Sequence, residues 1–155
     1  MGRWAAALYR VCGGRRMHTE NLHITLAFLG QVDAARLDDI VAAARSVQAR
    51  RFMLRMDQPG YWKHNRIAWL GASQVPAELE AMVAELRSAL EAGRIAFDPK
   101  PFVAHVTLLR NARPPSDEWP ALAVVHWPVS GFALVSSERD ASGTHYRVAW
   151  RSADA

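Results

Sequence analysis

A short pattern that occurs twice constrains this chain more than anything else in it. Leu22-His23-Ile24-Thr25-Leu26 in the first half returns as Val103-Ala104-His105-Val106-Thr107-Leu108 in the second. In an extended strand the side chains alternate between faces, so His23 and Thr25 point the same way, roughly 6.5 to 7 Å apart. His105 and Thr107 do likewise. Leu22, Ile24, Leu26 and Phe28 fall on the opposite side of the first strand and read as core. With six histidines and four threonines in 155 residues, chance supplies roughly 0.15 His-x-Thr pairs, so a lone match means little and two matches in similar apolar settings mean more.

Composition narrows what such a pair of strands can belong to. A chain of 155 residues fits a single domain, and at that size about 68 to 70% of the unfolded surface is buried on folding. Half the residues are apolar and 22% are charged, as in ordinary globular proteins. Cys12 is the one cysteine, which rules out an intramolecular disulfide framework and a four-thiolate zinc site, and points to a reducing, cytoplasmic setting. No apolar run reaches the roughly 18 residues of a membrane-spanning helix, and the apolar stretch before Tyr9-Arg10 is too short for a signal peptide. The net charge of +4 is rich in arginine, which suits bidentate contact with phosphate.

Read in order, the chain alternates helical and strand periodicities. Trp4, Leu8 and Val11 predict a helix over 4–12, closed by Gly13-Gly14. Arg15, Arg16 and His18 follow, either as a solvated connection or as a basic lip beside the first motif. The first motif strand runs to Gly30. Asp33 reads as an N-cap for a helix with the stripe Leu37, Ile40, Val41, Ala44 and Val47. Phe52, Leu54 and Met56 alternate as a strand that Pro59-Gly60 breaks and Ile67 to Leu70 resumes. The intervening Tyr61-Trp62-Lys63-His64-Asn65-Arg66 mixes aromatic and basic side chains that could stack a base or only cover a sheet edge. Pro76 and the stripe from Leu79 to Leu90 give the clearest helix, ended by Gly93. A proline-stiffened approach, 97–102, leads to the second motif strand over 103–110. Residues 111–120 read as loop. Strands are predicted at 124–127, 132–136 and 144–151, with Tyr146, Val148 and Trp150 on the buried face of the last.

Aligning the halves exposes an internal repeat. The second runs strand, helix, motif strand and further strands; the first runs helix, motif strand, helix and strands. The symmetry therefore leads one to expect a strand before Trp4, missing from a chain that begins late, and a sheet with an unfilled slot.

Two histidines facing each other across a cleft, one from each lobe and each with a threonine beside it, make a general acid and base pair. Imidazole titrates near pH 6.5, so one ring can accept a proton while the other donates. A phosphodiester between them could be opened by activated water, with the threonine hydroxyls holding the non-bridging oxygens where charge grows. No metal or cofactor is required. A zinc site from His23, His105 and His18 or Cys12 matches no common ligand spacing.

Asn21-Leu22-His23-Ile24-Thr25-Leu26-Ala27-Phe28-Leu29-Gly30 and Pro101-Phe102-Val103-Ala104-His105-Val106-Thr107-Leu108-Leu109-Arg110 together resemble the two-histidine phosphoesterases. Within that superfamily they are similar to the RNA 2′,3′-cyclic phosphodiesterases once described as 2′-5′ RNA ligases. The resemblance covers nearly the whole chain in its order of elements. It implies an α+β fold, bilobal and pseudo-twofold, with antiparallel sheets around a central cleft and residues 1–155 as one two-lobed domain. It implies hydrolysis of a 2′,3′-cyclic phosphate at an RNA or oligonucleotide 3′ end to a 2′-phosphate, with no membrane and no obligate protein partner. By the same resemblance His23 is the proton donor, His105 the proton acceptor, and Thr25 and Thr107 bind phosphate. Arg110 is a further candidate phosphate contact, although a regular strand would turn it away from His105. Two departures stand out: the strand ahead of the first helix is absent, and Ala104 replaces a common proline, which should loosen the approach to His105. Another cyclic-nucleotide esterase, or a non-catalytic RNA or nucleotide binder, are the alternatives.

Overall fold

The computed structural model describes residues 1–115, 118–140 and 143–152. Its elements follow from the periodicities above, with three instructive exceptions. The predicted helices form as α1 (Gly2–Cys12), α2 (Leu37–Arg45) and α3 (Ala77–Ala92). Asp33 does act as a cap, but of a short 3₁₀ turn ahead of α2, its Oδ1 accepting the Ala35 N–H at 2.9 Å. None of the helices among the described residues is long and apolar enough to cross a membrane.

The strands are β1 (Arg15–Arg16), β2 (Phe52–Met56), β3 (Gln58–Trp62), β4 (Ile67–Gly71), β5 (His105–Arg110), β6 (Val125–Val129), β7 (Ala133–Asp140) and β8 (Gly143–Arg151). They join as a four-stranded sheet in the order β1-β5-β4-β3 and as two pairs, β2 with β6 and β7 with β8.

The first exception is the Pro59-Gly60 break. Both residues lie inside β3, opposite Leu70 and Trp69. A proline cannot donate to a ladder, but β3 is an edge strand, where one missing donor is tolerated. The hairpin is therefore tight, closed by Trp62 opposite Ile67, and Tyr61 and Trp62 belong to the strand and not to its loop.

The second exception is the first motif. Residues 22–30 join none of the sheets. Leu22 has extended backbone angles, φ −75° and ψ 116°, yet alternation of side chains only assigns faces and says nothing about a neighbour, and no ladder flanks this segment. Its apolar residues are correspondingly not core: Leu22, Ile24 and Leu26 are half-buried and Phe28 is 63% exposed. The third exception is β8, where Val148 is 42% exposed and Tyr146 and Trp150 are only half-buried. Residues 141 and 142 of the expected turn before it, and 116 and 117 of the expected loop, lie outside the described residues.

The chain forms two compact units. The first comprises Met1–Thr25, Leu54–Val75 and Val103–Trp127. Here α1 packs on β4 and β5, and Trp4, Leu8 and Cys12 join Leu54, Met56, Leu70, Val106, Leu108 and Leu109 in a dry core. Asp57 ties its segments together, its carboxylate accepting the Ser73 N–H and hydroxyl, both at 2.9 Å. The backbone bond from Ser73 above all holds that carboxyl below its usual range. The second unit comprises Leu26–Met53, Pro76–Phe102 and Pro128–Ala155. Its core is the α2–α3 contact, with Ile40, Ala44 and Val47 against a stripe of Leu79, Met82, Val83, Leu86 and Leu90, and it carries the β7–β8 hairpin.

Candidate active site

All four motif side chains fall in the first unit. The chain passes to the second unit directly after Thr25, re-enters the first at Leu54, leaves it again after Val75 and returns at Val103, so each motif sits beside a crossing point.

The two histidines are held alike. Nδ1 of His23 lies 2.7 Å from the carbonyl oxygen of Asn21, and Nδ1 of His105 lies 2.8 Å from that of Val103. A carbonyl oxygen only accepts, so in both rings Nδ1 carries the hydrogen and Nε2 is where a proton is gained or lost. The equivalence is one of local geometry, because each partner is two residues upstream. Asn21 ends a 3₁₀ turn (Thr19–Asn21) and is buried, 6% exposed. Val103 is anchored through its neighbour Ala104, which is buried and whose carbonyl accepts the Ala72 N–H at 3.1 Å.

The second motif is a regular strand at its start. His105 and Thr107 are half-buried on one face of β5, while Val106 and Leu108 are fully buried on the other, beneath α1. His105 stands opposite Gly71, and Thr107 opposite Trp69. The pairing then slips: Ala68 faces Leu109, so Leu108 is an extra residue and the strand bulges. Leu108 and Leu109 are both fully buried, and the alternation resumes at exposed Arg110. The bulge therefore returns Arg110 to the side of His105 and Thr107, where a regular strand would have turned it away.

Two tryptophans, which the sequence did not single out as part of the site, surround His105. Its ring meets Trp62 edge-on, with centroids 4.4 Å apart at 71°, and Trp69 at 6.2 Å and 70°. Trp62 and Trp69 are themselves 5.3 Å apart. Trp62 lies in the stretch expected to be a base-stacking loop or an edge cover; Trp69 carries no signal of its own. The available signal is glycine within strands, which marks close approach of another group. A methyl at Gly60 would come 2.1 Å from the Trp69 ring, and one at Gly71 would come within 2.7 Å. The indole lies across these two bare positions.

This packing has an electrostatic result. Burial lowers the pKa of His105 below its ordinary value; the bond to Val103 works against the shift, and the charge of His23 adds to it. Neutral imidazole is thereby favoured at His105. Trp62→Ala is expected to let water reach the ring and raise its pKa toward the ordinary value near 6.5. Titration of the His105 ring by NMR in the two proteins checks this, and an unchanged or lower value in the variant contradicts the role assigned to Trp62.

Comparison with known proteins places this geometry among relatives. The LigT like Phosphoesterase family matches the chain over residues 1–69 and 70–146. The RNA 2′,3′-cyclic phosphodiesterase of Escherichia coli is 32% identical over 149 residues, covering 92% of this chain and 81% of that protein. The protein of that name from Thermus thermophilus is 33% identical over 145 residues, covering 88% of this chain and 73% of that one. In three dimensions, Escherichia coli LigT complexed with 3′-AMP superposes with a TM-score of 0.75 at 33% identity, covering 89% of this chain and 79% of the other. That likeness accords with the α+β architecture of antiparallel sheets and helices.

Proposed function

We propose, because the chain belongs to the LigT like Phosphoesterase family, that it is an RNA 2′,3′-cyclic phosphodiesterase working by proton transfer between His23 and His105. The observation that carries the reading is the matched pair of Nδ1 bonds to Asn21 and Val103. It gives both rings an Nε2 with a defined task, whichever protonation state each adopts.

His105, favoured neutral, takes a proton at Nε2 from a water molecule whose oxygen attacks phosphorus. The bond from phosphorus to O3′ breaks, and O3′ takes the proton that protonated His23 carries at Nε2. One water is consumed, and the product bears a 2′-phosphate and a free 3′ hydroxyl. Thr25 and Thr107 donate hydrogen bonds to the non-bridging oxygens as charge accumulates on them. Arg110, turned to this side by the bulge, adds positive charge nearby. Two imidazoles supply the acid and the base, so the scheme uses no metal ion.

Incubation with a short RNA ending in a 2′,3′-cyclic phosphate tests the reading. We expect turnover to a 2′-phosphate that persists in excess chelator. Loss of activity in chelator, restored by a divalent ion, would overturn the metal-free scheme, and a 3′-phosphate product would reverse the leaving oxygen.

A further inference from the structure

Beyond the reacting phosphate, the sheet presents a second anion site. β1 is only Arg15–Arg16, paired antiparallel with the end of β5 so that Arg15 faces Arg110 and Arg16 faces Leu109. Directly opposed residues of an antiparallel pair project to the same side. Arg110 has been carried by the bulge at Leu108 to the face of His105 and Thr107, and Arg15 must share that face.

A separate observation gives the same orientation. The Arg16 guanidinium lies over the Tyr9 ring, 5.7 Å from its centroid, and Tyr9 is on α1, which packs against β5. Arg16 therefore points to the helix side, and its strand neighbour Arg15 points away from it, to the site face.

Two arginines thus stand directly opposed across a ladder and on one face, both exposed. Like charges directly opposed destabilise a sheet. Among the described residues no carboxylate offsets them: the ion pairs there join Arg36 to Asp39, Arg50 to Glu85, Arg55 to Asp57 and Lys100 to Asp98. The arrangement is unfavourable alone and favourable once an anion sits between the two planar forks.

We propose that Arg15 and Arg110 together bind the phosphodiester that joins the terminal nucleoside to its 5′ neighbour, so that the site reads an oligonucleotide end and discriminates against a mononucleotide. This rests on the cyclic-phosphate reading above. When the 3′ end is a cyclic phosphate, the chain continues only through the 5′ oxygen, and the next anion is that phosphodiester. Because the bulge at Leu108 takes up one residue, Arg110 lies two rungs of the ladder beyond Thr107, roughly 7 Å along the strand, which puts its long side chain past the reacting phosphate and toward the following one. A mononucleotide cyclic phosphate brings no anion to that position.

The test compares kcat/KM for cytidine 2′,3′-cyclic phosphate with that for a cytidine dinucleotide ending in the same group. The wild-type protein is expected to prefer the dinucleotide, and Arg15→Gln to reduce that preference by roughly tenfold or more, the usual effect of losing a hydrogen bond to a charged group. Arg16→Gln, altered one residue away on the helix side, should keep the wild-type ratio. Raising the salt concentration should erode the preference of the wild-type protein more than that of Arg15→Gln, since one fewer phosphate contact remains to be screened. Because the readout is a ratio of two rates in one preparation, partial unfolding of a variant leaves it unaltered. An unchanged ratio in Arg15→Gln, or an equal loss in Arg16→Gln, overturns the proposal while leaving the cyclic-phosphate reading intact. Failure of the wild-type protein to hydrolyse either compound overturns both.

Discussion

Replacing His105 by alanine is expected to lower kcat on a cyclic-phosphate RNA end by about 10²- to 10⁴-fold, the usual contribution of one positioned general base. His23→Ala should cost a similar factor as the general acid. The two losses carry different pH signatures. His105 must be neutral to accept a proton, and its burial, assisted by the charge of His23, depresses its pKa; activity should therefore rise with pH on a limb that lies below the ordinary imidazole range. His105→Ala removes that acid limb from the residual activity. His23 must be protonated to donate, so His23→Ala removes the alkaline limb. The double variant should be little worse than either single one, because the two rings serve a single displacement at phosphorus, one at the attacking and one at the leaving oxygen, and their effects do not add. Steady-state rates across pH for the three variants check all of this. If either single variant retained near wild-type turnover, or the limbs vanished in the opposite order, the acid and base roles would be wrong.

The second large effect is expected at a residue without a side chain. Gly60→Val introduces a strand-favouring residue into β3, and on propensity alone should stabilise the sheet. The structure leads to the opposite result. A Cβ at this position would lie 2.1 Å from the Trp69 ring, directly across the ladder, and the indole is held on its other flank by Gly71, where a Cβ would come within 2.7 Å. The ring has to move, and Trp62 and His105 are its neighbours. Overpacking of this kind costs typically about 1 to 3 kcal/mol, and here kcat/KM should fall as well because the displaced ring crowds the His105 imidazole. Urea denaturation measures the first effect. Trp69→Ala in the Gly60→Val background should recover much of the stability, since the residues are in contact and their effects couple. Gly60→Val with undiminished stability and activity would mean that Trp69 can be repositioned at no cost.

The features legible in the sequence are those that repeat at a fixed period or punctuate it. The stripe from Leu79 to Leu90 marks α3, and the alternation His105, Val106, Thr107, Leu108 marks both the strand and its exposed face. The same reasoning fails at Leu22 to Phe28, because alternation is a property of one segment whereas a strand is a property of two. Pro59 misleads for a related reason: whether a missing donor matters depends on whether the strand is central or at an edge, and edge position is not encoded locally. Arg110 shows a finer limit. One inserted residue at Leu108 reverses the facing of everything after it, and the adjacent buried pair Leu108-Leu109 is a mark too faint to read without the register. Trp69 is hidden because its importance is recorded in the absence of side chains at Gly60 and Gly71, two residues on different strands.

The proline in β3 has a consequence away from the chemistry. The four-stranded sheet has two outer strands, and both are poor templates: β3 carries Pro59, and β1 is two residues long, both of them arginine. A foreign strand seeking to zip onto this sheet finds on one side a position with no N–H to offer, and on the other a charged stub with almost no ladder to extend. Growth by strand addition onto β3 and β1 is thereby disfavoured, whereas β1, pairing only with Leu109 and Arg110, gives no such protection to the flank of β5 at His105 and Thr107.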